Sequence, residues 1–592
     1  MQIQTERTRP LWQKAARGID GRRLAALFFA VLALLGVPMA LCSVSGADEG
    51  TELRTLGVQI RAYADLLGLE DEPFFDGLPQ EPLSEWRDRD YGQARFFPVW
   101  PVMRALELSG RPGAATQLLH YYNYLLFLLG LFAVYAILFR LTGSRGAGAL
   151  GALLLFINPR FFAESTYNTK DITLLALCLV VFWAGLCFVQ KEDFSSCFWF
   201  GLAGAVAGNE RLIGIAAFGL MGLVYLARLT LQKRWSTRAF WRGAAAVASL
   251  FVCWFLLTPA AWQDLPGFLA YQFGQTSNFD AIRWRGQVLY RGGLYCPEQV
   301  HIPWHYIPWF MLITTPLLPL GLAAVWPVLL AAKNGRDPAG WKSLETCFSA
   351  ALGVFFAAPL LFAMLRRPNL YNGWRHLYFV YASVVLFAAL SACRLWRLAK
   401  AAAPGRRRAF AGALAAVLAA HFAWYGGFIA RYGRDSFAYF NFLAGPHPEQ
   451  RYDADYWNIG LRTVMEEMLR RDPDFSAAPV DRTLFLSWNW YSTQDLLAPV
   501  AAGCEEVDWD RRSRARYVLE NVSQRAVSRL RPSETWDVND PDVIEWVREM
   551  NRQQPVYELR CGDTVLWRVY QNPQYNGPSP ETRAQPPAAP AG

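Results

Sequence analysis

Two adjacent carboxylates, Asp48 and Glu49, directly follow a long apolar run, Leu24 to Val44. Ionisable side chains so close to a bilayer are expensive to hold and are often functional. A positioned carboxylate can take the proton from an attacking hydroxyl group, so one interpretation is a catalytic base at the mouth of a membrane-embedded pocket. The other interpretation is a solvated helix end, and this short motif alone leaves both open.

Further ionisable side chains border later apolar runs. Cationic groups there could hold a phosphate, with arginine favoured because its guanidinium can bind two oxygens at once. Each also has a simpler explanation as a charge that flanks a span or extends to the interface. The candidates are Glu164, Lys170, Asp171, Arg211, His301, His305, Arg375 and His376.

Metal-binding and nucleotide-binding motifs are missing from the sequence. His301 and His305 are four residues apart, as two metal ligands on one helix would be, but Pro303 between them argues against a shared helix. CxxC, HExxH and Walker motifs do not occur, and the GxGxxG pattern at residues 146–151 lies inside a predicted span, without the strand before it that a nucleotide-binding loop needs. We therefore expect no metal site and no cofactor, and a requirement for a divalent metal ion stays an open alternative.

The composition indicates a polytopic membrane protein with soluble parts. Of the 592 residues, 53% are hydrophobic, 15% are aromatic and only 18% are charged, which is too apolar for a set of soluble domains. The formal charge of +9 comes largely from basic clusters between apolar runs. Such clusters are typical of cytoplasmic loops, and we prefer this interpretation to nucleic-acid binding.

The apolar runs predict an α-helical polytopic membrane protein with about eleven spans between residues 24 and 429. Most runs are close to the ~20 residues that a spanning helix needs. The basic arm, residues 1–23, and the basic clusters on alternate loops place the N-terminus in the cytoplasm. The loops 46–118 and 262–303 then lie outside. The split of the run 198–229 into two spans, at a polar break, is the least secure part of this count.

Residues 430–570 have the composition of a small extracytoplasmic α/β domain, and the Pro- and Ala-rich tail 571–592 is predicted to be disordered. Cys504 and Cys561 are the only cysteines of residues 430–592, and because the expected compartment is oxidising we predict a disulfide between them, with two free buried thiols as the open alternative. Periodicity predicts helices over 456–471 and 540–552, a strand over 483–488, and a hairpin over 556–560 and 564–569.

Several short stretches, taken in order, resemble the polytopic GT-C-type glycosyltransferases that take sugar from a polyprenyl-phosphate carrier, such as protein O-mannosyltransferases and lipid A aminoarabinose transferases. The resemblance covers most of residues 20–460. The matching stretches are ADEG after the first span, DYG in the first outer loop, NPRFFAESTYNTKDI after the third span, PWHYIPWFMLITTP at the eighth and LYNGWRHLYF at the tenth. The stretch from FNFLAGP to DADYWN, after the last span, is similar to a bacterial branch of the same family.

The resemblance implies an inverting transfer in which an aspartate of an outer loop is the base. Asp48 takes that position, Glu49 is its competitor, and Asp171 matches a second acidic position. Lys170, Arg211, Arg375 and His376 are then candidates for the donor phosphate, and Tyr91, His305 and Tyr306 for the acceptor or the pocket wall. The polar break Asn209-Glu210-Arg211 departs from the apolar run expected there, which leaves the role of its charges open.

We therefore expect a membrane glycosyltransferase whose partners are a polyprenyl-phosphate sugar and a lipid, glycan or protein acceptor, without nucleic acid. The expected location is a bacterial inner membrane, with the C-terminal domain outside. The main alternative is a transporter or lipid flippase, and a further one is a catalytically inactive scaffold. Transporters usually show repeat symmetry and charged or broken segments at mid-membrane, whereas here the polar side chains gather at one face and no repeat is visible.

Overall fold

Helices make up most of the computed structural model, which describes residues 21–46, 48–277, 287–295, 300–368, 370, 372–471, 483–487, 505–506, 513, 515–523 and 541–575. The helices are α1 (Gly21–Cys42), α2 (Glu49–Leu67), α3 (Trp100–Leu108), α4 (Pro112–Thr142), α5 (Arg145–Phe156), α6 (Pro159–Glu164), α7 (Asp171–Lys191), α8 (Phe194–Glu210), α9 (Ile213–Leu231), α10 (Thr237–Leu257), α11 (Leu265–Ser277), α12 (Tyr306–Thr314), α13 (Leu317–Arg336), α14 (Leu344–Arg366), α15 (Tyr381–Ala401), α16 (Pro404–Tyr432), α17 (Gly460–Arg471) and α18 (Pro541–Arg552).

Nine of the described helices are long and apolar enough to cross a membrane: α1, α4, α7, α9, α10, α13, α14, α15 and α16, the last two together with adjoining 3-10 turns. Two shorter helices, α5 and α8, occupy the remaining predicted spans. The predicted split is confirmed, because α8 ends at Glu210 and Arg211 takes an extended conformation before α9 begins. The predicted fold class, a polytopic α-helical membrane protein, is confirmed.

The eighth predicted span is wrong as a single helix. It consists of α12 and α13, which are separated by Thr315 and Pro316. Thr315 is extended, as the residue before a proline tends to be, and Pro316 has no N–H with which to continue the helix. The hydroxyl groups of Thr314 and Thr315 each donate to a carbonyl oxygen of the preceding turn at 2.6 Å.

The first predicted outer loop, 46–118, folds on itself. Leu56 of α2, Met103 of α3 and Leu119 of α4 share a buried apolar cluster with Phe96. The backbone N–H of Gly92 donates to the carbonyl oxygen of Asn209 at 2.8 Å. A Cβ atom at Gly92 would come within 2.1 Å of the Asn209 side chain, so this close approach requires glycine. The loop is thereby attached to the end of α8.

The C-terminal domain contains a five-stranded mixed sheet with the strand order β4-β3-β5-β7-β6. A separate hairpin, β1 (Val288–Tyr290) and β2 (Gly293–Tyr295), lies in the second predicted outer loop. In the sheet, β3 is parallel to both β4 and β5, and β7 is antiparallel to both β5 and β6. The strands are β3 (Thr483–Ser487), β4 (Glu505–Glu506), β5 (Tyr517–Asn521), β6 (Tyr557–Cys561) and β7 (Thr564–Gln571).

The small α/β part predicted for the C-terminus is confirmed in its main elements. The predicted hairpin is β6 and β7, and the predicted helices are α17 and α18. The predicted start of the first helix at residue 456 is wrong, because α17 begins at Gly460 and Tyr456 and Trp457 lie in the turn before it. Cys561 lies buried at the end of β6. The predicted disulfide stays a prediction, because Cys504 is outside the described residues, as are the predicted helix cap Asp540 and residues 576–592 of the predicted disordered tail.

Candidate active site

The centre of the candidate site is an ion pair between two residues 327 positions apart. Nη1 of Arg375 donates to Oδ2 of Asp48 at 2.6 Å. Asp48 directly precedes α2, and Arg375 opens the 3-10 turn Arg375–Val380 that leads into α15. The Arg375 side chain is buried, whereas the Asp48 side chain is 39% exposed. Asp48 is thus anchored from one side and accessible from the other.

Two more charges extend this pair into what we call the ionic row, the side chains of Asp48, Arg375, Asp171 and Arg211. Nη1 of Arg375 lies 3.9 Å from Oδ2 of Asp171, and Nη2 of Arg211 lies 2.9 Å from Oδ1 of Asp171. Asp171 begins α7 and Arg211 follows α8. One end of each of four apolar segments therefore lies at the ionic row. The predicted spans run alternately in and out of the membrane, which places these four ends on the same side.

Beside the row lies a second group, the inner cluster of Lys170, Glu52, Arg95 and Glu210. Lys170 pairs with Oε1 of Glu52, Nη2 of Arg95 donates to Oε2 of Glu52 at 2.9 Å, and Nη1 of Arg95 pairs with Glu210. Except for Lys170, these side chains are almost completely buried. Buried ion pairs are tolerated when further hydrogen bonds satisfy them, and Gln93 supplies one to Glu52 at 2.9 Å.

Tyr91 lies between the ionic row and the inner cluster. Its ring centroid is 4.6 Å from Nζ of Lys170 and 5.7 Å from Cζ of Arg211. Both distances lie within the range of cation–π attraction. The aromatic ring of the DYG stretch therefore borders two of the cations that were predicted to bind phosphate.

The neighbouring cations keep the carboxylates of Asp48 and Glu52 ionised. Burial raises the pKa of Asp48, but the positive charges of Arg375 and Lys170 outweigh it, so the pKa lies below the ordinary value of 3.8. For Glu52, burial likewise raises the pKa, and Lys170 and Arg95 lower it below 4.5. Burial lowers the pKa of Lys170, but Glu52 and Asp48 raise it above its ordinary value, so the ammonium group stays charged.

Glu49 faces a different neighbour from Asp48. Its Oε2 lies 2.9 Å from Nε2 of His120 on α4, and its Oε1 accepts a hydrogen bond from Ser45 at 2.8 Å. The side chains of adjacent residues at a helix start point in different directions, which explains why Asp48 and Glu49 have different partners. Of the adjacent acidic pair, it is Asp48 that reaches Arg375.

A further candidate acid, Glu164, is also buried. It accepts hydrogen bonds from Asn168 at 2.7 Å and from Tyr378 at 2.9 Å. Burial raises the pKa of Glu164 to about 7, although Arg160 opposes the shift. Its hydrogen-bond partners are thus different from those of the ionic row.

His305 and Tyr306, predicted for the acceptor or the pocket wall, have mainly supporting contacts. Nδ1 of His305 lies 2.6 Å from the hydroxyl of Tyr290 on β1. The hydroxyl of Tyr306 accepts a hydrogen bond from the N–H of Gly373 at 2.8 Å, two residues before Arg375. His376 follows Arg375 in the same 3-10 turn. Tyr306 therefore supports the turn that presents Arg375.

Sequence reasoning missed Glu52 and Arg95, and left Glu210 and Arg211 unexplained. Glu52 is one helical turn from Asp48, so its spacing was a usable signal for a shared helix face. Arg95 offered no such signal, because its partner Glu210 is 115 residues away. The polar break now has a structural explanation, since Glu210 pairs with Arg95 and Arg211 pairs with Asp171.

Two aromatic rings of the C-terminal domain contact Arg375. They belong to the DADYWN stretch of the resemblance, but the sequence did not predict their place in the site. Cζ of Arg375 lies 4.7 Å from the ring centroid of Trp457 and 5.4 Å from that of Tyr456. Among the described residues, no group of three or more His, Cys, Asp or Glu side chains is arranged to hold a metal ion. The described site thus consists of carboxylates, guanidinium and ammonium groups, and aromatic rings.

Residues 106–256 match the family model of dolichyl-phosphate-mannose-protein mannosyltransferases. This segment is similar to a family of glycosyltransferases. The matched residues run from α3 to α10 and include Lys170, Asp171, Glu210 and Arg211 of the site. The match supports the predicted family and confirms the predicted class of enzyme, a membrane glycosyltransferase.

Two crystal structures of ArnT from Cupriavidus metallidurans, one bound to undecaprenyl phosphate and one in the apo state, align with the chain at 15% identity. Each alignment covers 95% of this chain and 100% of that chain, with a TM-score of 0.43. No curated protein matches the sequence.

Proposed function

We propose that the protein transfers a sugar, with inversion, from a polyprenyl-phosphate carrier to a hydroxyl group of a lipid, glycan or protein acceptor, and that Asp48 is the base. One observation carries the proposal. Asp48 is a partly exposed carboxylate held 2.6 Å from a buried guanidinium, whereas Glu49, Glu52 and Asp171 have side chains only 1–2% exposed. The description of the matching family supports a lipid-phosphate sugar as the donor.

The proposed reaction needs a base and a cationic site for phosphate. The donor phosphate takes hydrogen bonds from Arg375, for which a guanidinium is well suited because it binds two oxygens at once. Asp48 then accepts the proton of the acceptor hydroxyl while its oxygen attacks the anomeric carbon. The bond between that carbon and the phosphate oxygen breaks, and the polyprenyl phosphate leaves with the electron pair. Arg375, Arg211 and Lys170 stabilise its negative charge, so little acid assistance is needed.

The transporter or flippase alternative is separated from the enzyme by the fate of the donor. Protein reconstituted in liposomes should release polyprenyl phosphate from a polyprenyl-phosphate sugar when membranes that supply the acceptor are added. A flippase would move the lipid between leaflets and leave the sugar attached. Intact donor with rapid movement between leaflets would therefore reject the proposal in favour of this alternative.

The active site is proposed to face the extracytoplasmic side of a bacterial inner membrane. Basic residues such as Arg140, Arg234 and Lys333 lie at the helix ends opposite the site. Positive charge favours the cytoplasmic side, so the site is expected on the other side of the membrane. We expect a periplasmic-type reporter fused at Pro586 to be active and a cytoplasmic-type reporter to be inactive. A reporter fused at Arg336, after α13, is the control and should show the reverse pattern. Cytoplasmic activity at Pro586 would overturn the orientation.

The lowered pKa of Asp48 predicts a pH profile. Because Arg375 and Lys170 hold this pKa below 3.8, the free enzyme should keep the base ionised throughout the range from about pH 5 to about pH 8. Activity loss from protonation of Asp48 should therefore appear only below that range. In Arg375→Gln, assayed at saturating donor, the acidic limb should move to higher pH. A wild-type limb near pH 6.5 that shifts in Asp48→Glu would contradict the lowered pKa of Asp48.

A further inference from the structure

The turn that joins the membrane domain to the C-terminal domain places two aromatic rings on Arg375. Tyr456 and Trp457 lie between α16 and α17, and their ring centroids are 4.9 Å apart. The ring of Trp457 also meets that of Tyr167 edge to face at 5.6 Å, in the segment that leads to Lys170. Trp457 is itself buried. The pair thus contacts the ionic row and the segment before α7 together.

The turn is fixed from the sheet of the C-terminal domain through Asp455, which is fully buried. Its Oδ2 accepts hydrogen bonds from Nε1 of Trp567 on β7 and from the N–H of Gly460, each at 2.8 Å. Its Oδ1 accepts one from the N–H of Ile459 at 2.8 Å. On β5, Asn521 donates to the Asp455 carbonyl oxygen at 2.8 Å. The two hydrogen bonds from the sheet, by Trp567 and Asn521, therefore attach the residue before the aromatic pair.

These contacts restrict the guanidinium in a way that suits phosphate binding. An aromatic ring against a guanidinium attracts the cation and, when it stacks, leaves the N–H groups at the edge available for hydrogen bonds. Here the ring of Trp457 lies 4.7 Å from Cζ, while Nη1 donates to Asp48 at 2.6 Å. The ring can therefore orient the guanidinium without competing for the oxygens that it binds.

We propose that the C-terminal domain supplies a positioning element for the donor-phosphate site: Tyr456 and Trp457, held by Asp455 and Trp567, fix the guanidinium of Arg375. This inference rests on the proposed function, because it assigns Arg375 to the lipid phosphate. It gives the C-terminal domain a role in donor use. Trp457 acts through Arg375 and is a positioning residue.

The test measures binding of undecaprenyl phosphate alone to the full-length protein, together with donor kinetics. Trp457→Leu should raise the Kd for the lipid phosphate about tenfold, as expected for loss of one desolvated cation–π contact. Trp457→Phe keeps a ring and should restore most of the affinity. Trp567→Phe keeps the bulk of a ring but removes the N–H to Asp455, and should raise the Kd about threefold. In each of these variants, the KM for the donor should change more than kcat.

Trp546→Phe is the matched control, because Trp546 is a buried tryptophan of the same domain in a different apolar cluster. It should leave the Kd within about twofold of wild type, because changes at sites that share no partners act nearly independently. Thermal midpoints identify variants that do not fold. If wild type binds no lipid phosphate, the proposed function itself fails. If wild type binds it and folded Trp457→Leu binds equally well, only the positioning role is overturned.

Discussion

Replacing Asp48 with asparagine should reduce the rate of sugar transfer by about 10²–10⁴, the usual contribution of a positioned general base. Asparagine has nearly the same shape and can still accept a hydrogen bond from Arg375, which lies 2.6 Å from the present carboxylate. Binding of undecaprenyl phosphate and the thermal midpoint should therefore change little. The prediction is checked by measuring, for wild type and Asp48→Asn, the kcat at saturating donor and the Kd for the lipid phosphate.

Glu49→Gln is the matched control, since it makes the same chemical change one residue away. Glu49 is buried against His120 and Ser45, and glutamine can keep hydrogen bonds to both. We expect its kcat to stay within about tenfold of wild type, far above that of Asp48→Asn. Near-normal transfer by Asp48→Asn, combined with loss in Glu49→Gln, would assign the base to Glu49. If neither change matters, Asp48 is only a solvated residue at a helix start.

Replacing Arg375 with alanine should reduce kcat/KM for the donor by about 10²–10³, the effect of removing one partner from a buried charge pair. The change removes the proposed phosphate ligand and also the ion pair of Arg375 with the buried carboxylate of Asp171, which keeps its ion pair with Arg211. Arg375→Lys keeps the charge but loses both the planar fork and the contact with Trp457, so it should restore only part of the loss.

Arg560→Ala controls for loss of an arginine elsewhere. Arg560 pairs with Glu558 on the same strand, and its side chain is about half exposed, so the pair contributes little to stability. Donor kinetics of this variant should equal those of wild type. If folded Arg375→Ala shows the same donor dependence as wild type, Arg375 is a structural charge and the phosphate site lies elsewhere.

The helices were predictable because hydropathy is a local property of the sequence. Each predicted span corresponds to one helix or, at the eighth, to two. The split at Asn209 could be found from its polar side chains alone. The break at Thr315 and Pro316 was missed because the surrounding run is apolar, although a proline after two threonines is a signal for a helix boundary.

Much of the candidate site was predictable from topology alone. Asp48, Lys170, Asp171, Arg211 and Arg375 all border apolar runs whose order places these ends on one side, and the structure brings them together. Their pairing was not predictable, because a contact across 327 residues leaves no local pattern. The contact of the Trp457 ring with Arg375 was not predictable for the same reason, because it depends on how the sheet of the C-terminal domain is placed.

The central claim is tested most directly by transfer from a polyprenyl-phosphate sugar that carries a radiolabel in the sugar. Purified wild-type protein and Asp48→Asn are incubated in parallel with this donor and with membranes that supply the acceptor, with and without a metal chelator. We predict that wild type moves the label into acceptor with inversion at the anomeric carbon, and that Asp48→Asn binds the donor but leaves the label on the lipid. Label that stays lipid-bound with folded, donor-binding wild type would contradict the account.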